Sequence, residues 1–98
     1  MKLAISLVLT VSLSFVLGLD IWDQNGFQGQ RTNVATVKNR CVRLDHQVNG
    51  PIASVRAETC DVQCYGFTDV WCEEQWNRID CQGYAYVGSG TLKSVRCL

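Results

Sequence analysis

Six cysteines, Cys41, Cys60, Cys64, Cys72, Cys81 and Cys97, are the residues of this chain best equipped for chemistry. Three uses compete for them: metal ligation, nucleophilic catalysis and disulfide formation. A zinc site would want CxxC pairs or several histidines. The chain has no CxxC, and His46 is its sole imidazole. A nucleophilic thiol needs a base beside it, and the carboxylate next to His46, Asp45, falls on the opposite side of an extended segment. Glu73 and Glu74 form a carboxylate pair of the type that glycoside hydrolysis employs, but two adjacent acids followed by Gln75 read as a solvated strip. Disulfides are the expected use, all six cysteines being paired, and catalytic activity is not expected.

That reading depends on the compartment, which the N-terminus addresses. Lys2 is followed by an apolar stretch from Leu3 to Leu17 interrupted only by Ser and Thr. This is the pattern of a signal peptide, too short for a membrane span. Small residues at Val16 and Gly18 place the expected cleavage after Gly18, so residues 1–18 are read as leader and 19–98 as one exported domain. A core of about 80 residues is marginal without staples, and an even cysteine count in an oxidising compartment supplies three. Each is worth ~2–4 kcal/mol. Acidic and basic residues number nine each over the whole chain. Such a balance lacks the basic excess that nucleic acid or anionic membrane binding usually requires, so neither nucleic acid nor stable membrane insertion is expected.

The elements that position these residues read as short strands. LDIWD (19–23), QRTNVATV (30–37), ASVRAE (53–58), VQCYGFTD (62–69), GYAYVG (83–88) and LKSVRC (92–97) are rich in β-branched and aromatic residues and are separated by Gly, Asn and Asp. No helical period runs through them. An all-β, antiparallel sandwich is the expected fold class.

The strands also repeat. SVR occurs at Ser54–Arg56 and again at Ser94–Arg96, and a cysteine stands thirteen positions before each serine, at Cys41 and Cys81. Each half opens on an aromatic strand that enters a tight turn, at Trp22 and at Phe67. In the first half, Trp22, Phe27 and Gly29 within IWDQNGFQGQ form the pattern aromatic-x4-aromatic-x-Gly. This resembles the βγ-crystallin Greek-key signature. It implies a hairpin folded over its own sheet, with positive φ at Asn25-Gly26, clasped aromatics, and a later serine bonded to the hairpin. Ser54 and Ser94 stand where that serine belongs. The resemblance therefore implies two Greek-key motifs, about 19–59 and 60–98, forming one small disulfide-stapled β-sandwich. It is nearest to small secreted cysteine-rich forms such as those found in fungi.

The second half departs from the signature: Trp71 stands at the turn glycine, Cys72 at the second aromatic and Glu74 at the later glycine. A Cys64–Cys72 bond replacing the aromatic clamp is the expected compensation. The repeat then allows Cys41–Cys60 with Cys81–Cys97, or Cys41–Cys81 with Cys60–Cys97.

Many members of that family bind calcium through oxygen-rich loops. The matching segments here are NGPIAS (49–54), which keeps only Asn49 and Ser54 as oxygen donors of the pattern, and SGTLKS (89–94), where Lys93 intrudes. The resemblance therefore implies weak calcium binding at Asn49 and Ser54 or none, and no cofactor is expected. Trp71, a large ring in a turn, and Trp76, beyond three polar residues, are the candidate binding-surface aromatics; Tyr84 and Tyr86, on one face of their segment, read as core, with an extension of that surface as the alternative. The expected role is a secreted, non-enzymatic, toxin-like, antimicrobial or host-directed binding protein with an extracellular target, be it a cell surface, a protein or a glycan. The alternatives are a proteinase inhibitor presenting DHQVNGPI (45–52), or an extracellular structural or calcium-binding module.

Overall fold

The computed structural model describes residues 16–88 and 90–98. The expected leader lies outside the described residues up to position 15. Its last three residues begin the first strand.

Among the described residues, seven antiparallel strands form two sheets. In chain order they are β1 (Val16–Gln24), β2 (Gln28–Val37), β3 (Cys41–Arg43), β4 (Ser54–Ala57), β5 (Cys64–Phe67), β6 (Gln75–Ile79) and β7 (Ser94–Cys97), with one 3-10 turn at Leu44–His46. The first sheet has the order β2-β1-β4 and the second β3-β7-β5-β6. The motifs exchange segments: β3 leaves the first motif to pair with β7, Val42 opposite Val95. Tyr84 leaves the second motif to bridge Val55 on β4, through N–H to carbonyl bonds of 2.8 and 3.1 Å. The second sheet thus takes its edge strand β3 from the first half, while the first sheet, built of first-half strands, is bridged at β4 by Tyr84 of the second. The expected two-motif sandwich is the fold observed.

Alternation along the strands explains the core. In both SVR segments the serine and valine are fully buried and the arginine is half-buried, so Val55 and Val95 face inward from opposite sheets. With Leu19, Ile21, Val34, Leu44, Ile79 and Leu92 they form one apolar cluster between the sheets. Gly83, at φ +69°, matters for the exchange: a Cβ there would strike the Val55 carbonyl and the Arg56 backbone of β4. Only glycine lets the second-motif segment lie that close.

Two expectations need correction. GYAYVG (83–88) is not a strand: only Tyr84 bridges, and while Tyr84 packs against the core, Tyr86 is 75% exposed. Conversely, QWNRI is strand β6, hidden in the sequence by its polar residues. It lies at the sheet edge, where polar side chains meet water.

Candidate binding surface

The two SVR segments fasten the two hairpins identically. Ser54 donates its hydroxyl to the Gln24 carbonyl at 2.8 Å and accepts the Phe27 N–H at 3.1 Å. Ser94 donates to the Asp69 carbonyl at 2.6 Å and accepts the Cys72 N–H at 3.2 Å. Phe27 and Cys72 share a left-handed backbone, φ +59° and +58°, which is unusual for such side chains. In the first hairpin the Trp22 and Phe27 rings meet edge to face with centroids 5.2 Å apart, and the Arg56 guanidinium lies 5.2 Å from each. In the second, Arg96 lies 5.5 Å from Phe67. Cys72 therefore occupies the position of the second clamp aromatic, as its place in the sequence implied.

Its bonding partner differs from the expectation. The disulfides are Cys41–Cys72, Cys60–Cys81 and Cys64–Cys97. Cys64 starts β5 while Cys72 lies past its other end, and three intervening strand residues span about 10 Å, beyond the ~7 Å limit between bridged Cα atoms. Instead, Cys64 faces Cys97 directly across the β5–β7 ladder. Neither repeat-symmetric pairing of the other cysteines occurs. Motif exchange is the reason: β3 carries Cys41 into the second sheet, beside the second motif's turn.

The turn so held presents Trp71. Asp69 organises it, one carboxylate oxygen accepting the N–H of Trp71 at 3.0 Å and the other accepting those of Glu73 and Glu74 at 3.0 and 2.8 Å. Bonding to the Glu74 amide, more than to those of Glu73 and Trp71, holds the Asp69 carboxyl below the ordinary carboxylate value. Asp80 is lowered in the same way by the Gly83 and Gln82 amides. Both have lower pKa values folded than unfolded, so their contribution to stability is complete above about pH 4 and is lost as the pH falls through the lowered folded-state values. We expect Asp69→Asn to be less stable than wild type at pH 7 and to lose less stability between pH 7 and pH 3. Denaturant unfolding at the two pH values checks this, and an unchanged pH dependence would count against it.

Trp71 is 64% exposed. The Arg43 guanidinium lies 5.1 Å from its ring centroid and is itself held by Asp45 through bonds of 3.2 and 2.7 Å; this contact keeps the Asp45 carboxyl below its usual range. Beside this ladder lies a groove of about 400 Å³. Leu44, Val48, Ile52, Val70 and Leu92 supply its apolar lining, and Asp45 and Lys93 supply its charges. Across Pro51 and Ile52 a second depression is lined by Tyr86.

The other candidates lie elsewhere. Trp76 is half-buried against the core, its ring 4.9 Å from Tyr84. Ser54 is fully buried, with its hydroxyl bonded within the hairpin closure, while Asn49 is exposed in the segment before β4. His46, Glu73 and Glu74 are exposed. Arg43, central to the surface, was not singled out from the sequence; its spacing of one residue from Asp45 was the available signal. Among the described residues no helix is long and apolar enough to cross a membrane.

Comparison with solved structures places the fold. The chain is similar to the crystal structure of the N-terminal domain of protein S, a βγ-crystallin-like Greek-key domain, with a TM-score of 0.59 and 16% identity over 83% of this chain and 94% of that one. No protein-family model and no curated protein sequence matches the chain.

Proposed function

We propose that the domain is an exported, non-enzymatic binding module that engages an extracellular target through the surface around Trp71, acting as a toxin-like, antimicrobial or host-directed effector. One observation carries this reading. A tryptophan exposed over most of its area sits in a turn immobilised by the Cys41–Cys72 disulfide, the Asp69 carboxylate and the Ser94 hydroxyl. An exposed aromatic is costly to leave in water, and a rigid one loses little conformational entropy when a partner covers it. Three disulfides in a domain this small accord with an oxidising, extracellular setting.

The proteinase-inhibitor alternative calls for a protruding, extended loop over 45–52. There the backbone begins in a 3-10 turn, and Val48 and Ile52 pack against the core, so the effector reading ranks above it.

Fluorescently labelled protein applied to microbial, plant and animal cells tests the proposal. Wild type is expected to adhere to one class of cell and Trp71→Ala to adhere more than about tenfold less, as for a central interface tryptophan, with its melting temperature unchanged. Failure to bind any of these cells, or equal binding by the variant, would sink the reading.

A further inference from the structure

We infer that the groove beside Trp71 receives a protein segment in which a bulky apolar side chain is followed or preceded by a carboxylate, the carboxylate pairing with Lys93. The inference rests on the binding-module reading and names the partner's chemistry.

Charge balance around the groove identifies the occupant. Among the described residues two charged ones line it, Asp45 and Lys93. Asp45 is committed to Arg43 by two hydrogen bonds, whereas Lys93 is exposed and has no ion pair among the described residues. One negative charge from outside completes the balance. The remaining side-chain lining is Leu, Val, Ile and Pro, with Val70 leading directly into Trp71. An apolar centre with a charged margin, flanked by tryptophan and arginine, has the make-up of a protein–protein hot spot.

The same facts weigh against other ligands. A sugar brings many hydroxyl groups and needs a polar partner for each, but Asp45 is already engaged and the walls offer aliphatic carbon. An anionic bilayer calls for a cluster of basic residues, and among the described residues Lys93 is the single lysine or arginine lining the groove. Two features extend the fit beyond one pocket. The Tyr86 depression shares Pro51 and Ile52 with the groove, so a segment crossing the ridge between them would pass from the apolar groove onto an exposed aromatic. The left-handed Gly50, at φ +113°, turns the chain just before that ridge.

Selection of a random 12-residue peptide library displayed on phage against the immobilised, disulfide-intact protein tests the inference. Enriched peptides are expected to place Asp or Glu beside Leu, Ile, Phe or Trp. Trp71→Ala is expected to weaken them at least tenfold, and Lys93→Glu, an exposed substitution, to reject them and enrich Lys or Arg at the same place. No enrichment, or peptides indifferent to both substitutions, would overturn it, as would Trp71-dependent binding to a glycan array or to phosphatidylserine vesicles in place of peptides. Trp71-dependent adhesion to cells without peptide enrichment would overturn the inference alone and leave the binding-module reading standing; loss of both would remove both.

Discussion

Replacing Cys64 and Cys97 together by alanine is expected to destabilise the domain by about 3–5 kcal/mol, enough to leave much of it unfolded at 37 °C, whereas removing Cys60 and Cys81 together costs about 2 kcal/mol. Loop entropy does not separate the two pairs. Their sequence separations are 33 and 21 residues, and the logarithmic dependence makes that difference about 0.4 kcal/mol. Burial does. Cys64 and Cys97 are wholly inaccessible and belong to the central apolar cluster between Ile79 and Val95, while Cys60 is exposed and Cys81 half-buried. Truncating the core pair to alanine leaves a void as well as releasing the unfolded chain, and each lost sulfur adds about 1 kcal/mol. Pairwise replacement avoids an odd thiol that would reshuffle. Urea unfolding of the two double variants provides the comparison, and equal losses of stability would show that the sulfur atoms of the core pair contribute nothing to packing.

Ser54→Ala is the second large effect, expected to lower stability by about 2–3 kcal/mol and the melting temperature by about 10–20 °C. The hydroxyl makes two bonds, to the Gln24 carbonyl and from the Phe27 N–H, and it is fully buried. Alanine removes both bonds and leaves the Phe27 N–H and the Gln24 carbonyl stranded beneath the folded hairpin, which is more expensive than the loss of two exposed bonds. Ser94→Ala removes the equivalent pair, from Cys72 and to Asp69, and its stability loss is expected to be similar. The two variants should differ in local opening. The first hairpin is retained by non-covalent contacts of Trp22, Phe27 and Arg56, so in Ser54→Ala the Phe27 amide should exchange with solvent deuterium at least tenfold faster relative to global unfolding. The second is tethered by Cys41–Cys72, so in Ser94→Ala the Cys72 amide, though it loses its acceptor, should be accelerated less than the Phe27 amide is in Ser54→Ala. A Ser54→Ala variant within 0.5 kcal/mol of wild type would remove the serine from its structural role.

These effects come from the part of the molecule most legible in its sequence. Trp22, Phe27 and Gly29 lie within eight residues of one another, and turn chemistry acts over that range. The left-handed Gly26 and Gly29 are where a hairpin folding back on itself needs them, and a Cβ on Gly29 would run into the Asp23 carboxylate that accepts the Gln30 N–H at 2.8 Å. The SVR serines were identifiable because duplication makes the same contact twice. Strand β6 was not, because an edge strand needs no alternation of apolar residues. Segment 83–88 misled for the opposite reason: its aromatic alternation has the period of a strand, but its backbone bonds go to Gly26, Ala53 and Val55 without forming a ladder beyond the single bridge at Tyr84.

The candidate surface was half legible. Trp71 stood out because it replaces a turn glycine. The company it keeps did not, since Arg43, Asp45, Val70 and Lys93 come from three separate stretches of chain.

What the sequence determined by itself is therefore what depends on neighbours and on repetition: the all-β class, two related motifs, the clamp of the first hairpin, the serines beneath both turns, and a cysteine replacing an aromatic in the second. Tertiary structure decided which cysteines meet and which residues surround Trp71. The neighbours of Trp71 and the Cys41–Cys72 bond follow from the exchange of β3 into the second sheet, and the Cys64–Cys97 bond from the β5–β7 pairing, contacts between residues more than twenty positions apart. A strand's hydrophobic period tells it which face to bury but not which strand lies beside it. That choice is made by the collective packing of both motifs around one core.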